Sequence, residues 1–179
     1  MSFHHRAYIF DLDRFERELR PVMEEALRSN DPAPLRRFIE QRLRELKDPY
    51  AGEPLDASWE NLLESRDVQE YGDFAMTLYY DPAADIGLGE RWSLLEDMLV
   101  RSAPSGTDLT MGDTVGPPNR PFDPGRMGAY FMTNDAAMTR LQTLRELSAA
   151  RADLREQLAP LAEMFAAIAH SGRGAYVTF

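Results

Sequence analysis

The chain has 179 residues, 44% apolar and 28% charged, with a net charge of −10 and no cysteine. That balance suits a single soluble domain with a real core, and it excludes disulfides, thiolate metal sites and cysteine nucleophiles. No apolar run approaches the roughly 20 residues of a membrane span, and Met1–Arg6 leads into only four apolar residues, unlike a signal peptide, so a cytoplasmic location is expected.

Ala7-Tyr8-Ile9-Phe10 reads as a short strand, ended by Asp11, which with Asp13 is placed to cap the helix that comes next. Phe15, Leu19, Val22, Met23, Ala26 and Leu27 recur at helical spacing, with Pro21 interrupting that helix or opening its second half. Asp31-Pro32 opens another helix, with Leu35, Phe38, Ile39, Leu43 and Leu46 on one face. Arg36, Arg37, Arg44 and Lys47 fall largely off that face, as a solvated basic surface would. Asp48 to Gly52 is a loop, and Asp56 is placed to cap a helix carrying Trp59, Leu62 and Leu63. Phe74 to Tyr80 reads equally as helix or strand until Asp81-Pro82 ends it. Trp92, Leu95, Met98 and Leu99 mark the next helix.

From 103 to 124 there are five prolines and three glycines and no periodicity, which is a long loop for a compact domain. Met127 to Met132 reads as a strand, with Thr133 or Asn134 capping a helix that contains Ala137, Met138, Leu141 and Leu144. Leu154, Leu158, Leu161, Phe165 and Ile168 form one helical seam, expected to pack on the strands at Ile9, Tyr130 and Val177. Pro160 is expected to kink or split that helix. Gly172 is placed as its C-terminal cap, and Gly174 to Phe179 as a last strand. The fold expected is α+β: one mostly helical domain over 1–179, with a small sheet from the N-terminal, central (127–132) and C-terminal strands.

Between Asp48 and Asp97 stand thirteen acidic residues and only two basic ones, Arg66 and Arg91. Charge so localised favours a basic partner and disfavours nucleic acid. The leading functional expectation is therefore a non-enzymatic interaction module, immunity- or antitoxin-like, steered onto a basic protein by this stretch. Its candidate face is Glu60, Glu64, Glu70, Asp73, Tyr79 and Tyr80. The alternative is a small-molecule enzyme or binder, with Asp113, Asp123, Arg126 and Tyr130 around a pocket under the 103–124 loop.

Two other motifs carry less. Ile9-Phe10-Asp11-Leu12-Asp13 resembles the nucleophile motif of haloacid-dehalogenase phosphatases, but Arg14-Phe15 stand where that family has Gly-Thr. A strand followed by an aspartate-capped helix explains it better. His4, His5 and His170 are three imidazoles, yet neighbouring histidines on a strand point to opposite faces, so no metal and no cofactor are expected.

Three segments in order resemble the YfbM-like family of small uncharacterised bacterial proteins. They are Asp85-Ile86-Gly87-Leu88-Gly89-Glu90-Arg91-Trp92-Ser93-Leu94-Leu95, then Gly128-Ala129-Tyr130-Phe131-Met132-Thr133, then Leu161-Ala162-Glu163-Met164-Phe165-Ala166-Ala167-Ile168-Ala169 with Gly172 and the closing strand. The resemblance implies an α+β single domain and carries no activity and no catalytic residues.

Overall fold

The computed structural model describes residues 4–102 and 112–179, without the side chains of Val100 and Ser102. Three strands, β1 (Arg6–Phe10), β2 (Ala129–Met132) and β3 (Gly174–Thr178), form an antiparallel sheet in the order β1-β3-β2. The C-terminal strand is thus the central one, with Tyr8 opposite Tyr176 and Tyr130 opposite Val177. Seven α-helices surround the sheet among the described residues. The architecture is α+β and mostly helical.

Strand alternation divides the core into two layers. Tyr8, Phe10, Ala129, Phe131 and Tyr176 point to one face, and Ala7, Met132, Ala175 and Val177 to the other. The first face is covered by α1 (Leu12–Glu18), α2 (Arg20–Ser29), α3 (Ala33–Arg42) and α4 (Val68–Met76). The second is covered by α5 (Trp92–Ser102), α6 (Asn134–Ala150) and α7 (Arg155–Ser171). The seam Leu154, Leu158, Leu161, Phe165, Ile168 lies in this second layer with Val177 and the half-buried Tyr130. Ala7 takes the place expected for Ile9, which is only partly buried.

The helix boundaries have local causes. Asp11 caps α1 through Arg14 N at 3.2 Å. Pro21 divides that run into two helices, because it lies in the first turn of α2, where its missing N–H leaves no bond unmade. Thr133 rather than Asn134 caps α6, accepting from Ala136 N, and the Asn134 amide instead donates to the carbonyls of Ile168 and Arg173. Pro160 lies inside α7 without splitting it, since the clash that a proline ring makes falls on one carbonyl of the first turn and a half. Gly172 ends α7 at φ +66°, the left-handed conformation that glycine adopts freely.

One expectation is corrected here and one open reading is resolved. The helix expected after Asp56 is a single 3-10 turn, Trp59–Leu62, because the Asp56 carboxylate bonds Ser58 N and its hydroxyl rather than a helical turn. Leu62 is consequently exposed. The run from Phe74 resolves as the end of α4 followed by turns that bury Tyr79 and Tyr80. The 103–111 part of the expected loop lies outside the described residues; its continuation pairs Asp113 with Phe131 and buries Val115 and Phe122. Among the described residues no helix is long and apolar enough to cross a membrane.

Candidate functional site

The register of β1 on β3 places Arg6 opposite Thr178 and Tyr8 opposite Tyr176, all on the face toward α4. These four form the floor of a cavity of about 250 Å³. One wall comes from Asp73 of α4 and Tyr80 beyond it. The rim is closed by the Pro49-Tyr50 loop and the Pro124-Gly125 turn, with His4 and Phe179 at the ends of β1 and β3. Gly125 sits against the chain end here: a Cβ on it would stand 2.7 Å from the Phe179 carbonyl oxygen.

Asp73 is the unusual group. Its neighbours in the buried run from Tyr71 to Met76 are apolar or glycine, and its relative exposure is 7%. It makes no ion pair among the described residues. Burial is the main cause that lifts its carboxyl to about 7; a hydrogen bond from the Tyr50 hydroxyl opposes this, while Glu70 and Asp48 add to it. The Tyr50 ring is largely exposed, so only its hydroxyl end turns inward.

Around Asp73 the tyrosines form a contiguous aromatic patch. The Tyr8 and Tyr80 rings are 4.6 Å apart, and Tyr80 and Tyr176 are 5.5 Å apart. Burial pushes the Tyr80 and Tyr176 hydroxyls well above the usual phenol range, with the Asp73 charge next in order. Both therefore stay neutral. The Tyr176 hydroxyl is buried and makes no hydrogen bond of normal geometry among the described residues, although the Thr178 side chain lies close enough to act on it. Tyr176 and Asp73 thus line one cavity, the first with a buried hydroxyl that has no partner and the second with a buried carboxyl that has no counter-ion among the described residues. Most buried polar groups in folded proteins are satisfied.

A larger groove of about 690 Å³ runs between α5 and α7, lined by Leu88, Leu94, Leu95, Met98 and Pro160. Its charged groups, Arg91, Asp97, Arg101 and Glu156, are all exposed. Apolar shape without convergent buried polar groups specifies little chemistry.

The residues expected around a loop-roofed pocket have separate roles. Asp113 is exposed and bridges Phe131 through its backbone. The Asp123 carboxylate accepts from Met127 N and Gly128 N and so holds the turn before β2. Arg126 has φ +58° and lines a smaller recess with Tyr50, Glu64 and Glu70, without an ion pair among the described residues. Tyr130 points to the other face of the sheet, edge-on to Phe179.

The expected acidic face is corrected in its membership. Asp73, Tyr79 and Tyr80 are buried, because α4 and the turn after it turn them into the core. Glu60 pairs with Arg36 at 2.7 Å. Asp67 caps α4 by accepting from Glu70 N, while the Glu70 carboxylate takes the amides of Glu64, Ser65 and Arg66 in the turn before the helix. Glu64 is exposed and free of ion pairs among the described residues.

The histidines do not converge. His5 is buried against Trp92 with ring centroids 4.7 Å apart, its Nδ1 accepts from Leu88 N, and burial lowers it to about 4. His170 is exposed beside the Ala166 carbonyl in the last turn of α7. No group of three His, Cys, Asp or Glu residues able to hold a metal ion occurs among the described residues. Lys47 pairs with Asp81, and Asp11 serves as a helix cap.

Comparison with known family models, with curated proteins and with solved structures finds no match.

Proposed function

We propose that the protein binds a small polar molecule in the cavity between the sheet floor and Asp73. The observation that carries this is that two under-satisfied buried residues line one cavity: Asp73, whose carboxyl has no counter-ion among the described residues, and Tyr176, whose hydroxyl has no partner among them. Leaving a buried polar group unsatisfied costs about 1–3 kcal/mol, and a ligand that supplies the partners recovers that cost. A carboxyl titrating near neutrality can also hold or release a proton at working pH, which suits acid–base chemistry on a bound molecule. This site replaces the loop-roofed pocket as the place where a small molecule would sit.

The test is a ligand-observed NMR screen of small polar molecules against the native protein, Asp73→Asn and Tyr176→Phe. Binders are expected whose signals respond to the native protein and lose that response in both variants. Binders that ignore both substitutions, or no binder at all, would remove the proposal.

A second reading, engagement of a basic protein, keeps one observation in its favour. Glu53, Asp56, Glu64, Glu90 and Glu96 are exposed and make no ion pair among the described residues. Such charges steer association more than they add affinity. Binding to a basic protein that weakens steeply with salt, and weakens further when Glu64 and Glu90 become glutamine, is the outcome expected. Insensitivity to both would sink this reading.

A further inference from the structure

The cavity has a charge preference, which refines the small-molecule reading and rests on it. Its inward charge is the Asp73 carboxylate, and the nearby carboxylates of Glu70 and Asp48 act on it with the same sign. Arg6 is the cation that opposes them, with the smallest effect of the group. Of the charged groups in the lining, Asp73 is buried whereas Arg6 and His4 are exposed to solvent, so an anion seated against Asp73 would meet repulsion that those cations offset only weakly. A neutral molecule would leave the buried carboxylate without a counter-charge.

The walls favour the same sign. Tyr8, Tyr50, Tyr80, Tyr176 and Phe179 line the space, and aromatic faces carry negative quadrupole density that attracts cations. A metal ion is a poor occupant, because one carboxylate and neutral phenols fall short of the six or more oxygens that calcium or magnesium takes. An organic cation needs fewer ligands and gains from the rings.

Hydrogen-bonding capacity narrows the class. A primary ammonium carries three N–H donors. Its lining residues hold acceptors for them: the two carboxylate oxygens of Asp73 and the buried Tyr176 hydroxyl, which has no partner among the described residues. A quaternary ammonium has no donor to give them. We propose that the cavity is a recognition site for a primary amine, its ammonium seated on Asp73 and the Tyr176 hydroxyl and its carbon stem on the Tyr8 and Tyr80 rings. A volume of about 250 Å³ suits an amine of a few heavy atoms, or the amine end of a longer molecule leaving past Tyr50.

Four probes of matched size decide it: butylammonium, butyrate, butanol and tetramethylammonium. Each is titrated at constant ionic strength into the isotope-labelled native protein, with the amide and ring signals of Tyr8, Asp73, Tyr80 and Tyr176 followed by NMR. Butylammonium should shift these signals saturably, and butyrate and butanol should leave them unmoved. Its affinity should fall at least tenfold in Asp73→Asn and several-fold in Tyr176→Phe. The ranking of the four probes uses native protein alone, so it stands whatever the variants do. Butyrate or butanol binding there as tightly as butylammonium would overturn the amine assignment and leave the cavity reading intact. Tetramethylammonium binding more tightly than butylammonium would overturn the primary-amine assignment. If no probe moves these signals, the amine assignment falls, while the broader ligand screen still decides the cavity reading.

Discussion

Replacing Asp73 by asparagine removes a titratable group from the protein interior with little change of shape, and its effect on stability follows from linkage. In the native protein the carboxyl titrates at about 7, against 3.8 for an unperturbed aspartate. A gap of about three pKa units corresponds to about 4 kcal/mol between the two protonation states. The native pKa is the raised one, so the folded protein keeps a proton that the unfolded chain has released. Asp73 therefore contributes most to stability below pH 3.8, and that contribution disappears as pH rises to about 7. Between pH 5 and pH 8 the native protein should lose about 3 kcal/mol from this group alone. Asparagine does not titrate, so the Asp73→Asn protein should gain about 3 kcal/mol relative to native over the same interval. Urea unfolding of both proteins at pH 5, 6, 7 and 8, at fixed ionic strength, reads the difference directly, because contributions from all other groups cancel. Parallel stability profiles, with a difference constant across the interval, would refute the placement of Asp73 as a buried, uncompensated acid.

Three further outcomes are expected. His5 has the opposite sign: burial lowers it from 6.5 to about 4, so its contribution is present above pH 6.5 and is lost as pH falls through about 4, and an NMR titration of its C2 proton with a midpoint above 6 would refute its burial. Phe165→Ala, at a fully buried position in the second layer, should lower stability by about 3–5 kcal/mol with an unchanged urea slope; a loss below about 1 kcal/mol would mean that α7 is wrongly faced. Salt should raise the melting temperature modestly, since few acids of the 48–97 stretch pair with a base, Glu60 with Arg36 and Asp81 with Lys47 among them; a melting temperature that falls with salt would show that internal pairing dominates.

The second layer is readable in the sequence because one pattern controls it. The four-three spacing from Leu154 to Ile168 permits a single apolar face, and α7 buries that face. The first layer is less readable, because its helices are short and their ends are set by side-chain bonds such as those of Asp56 and Glu70, which periodicity does not register. The cavity is hidden for a different reason. Acidic residues between 48 and 97 look alike as charges, so Asp73 is indistinguishable by charge from Glu60, Glu64 and Glu70 on the surface. Yet Asp73 alone stands inside an unbroken buried run, from Tyr71 to Thr77. No basic residue lies three or four positions from it on α4: those positions hold Gln69, Glu70, Met76 and Thr77. An acid that its own helix neither exposes nor pairs must find its compensation across space, and the alternation of β1 and β3 supplies the surface it faces. Arg6 and Tyr8 share a face with Tyr176 and Thr178 only because β3 is the middle strand, a pairing between the two ends of the chain. Local pattern thus fixes which side chains share a strand face. The chemistry of the site arises from long-range register, which brings an isolated acid over tyrosines more than sixty residues before it and a hundred after it in the chain.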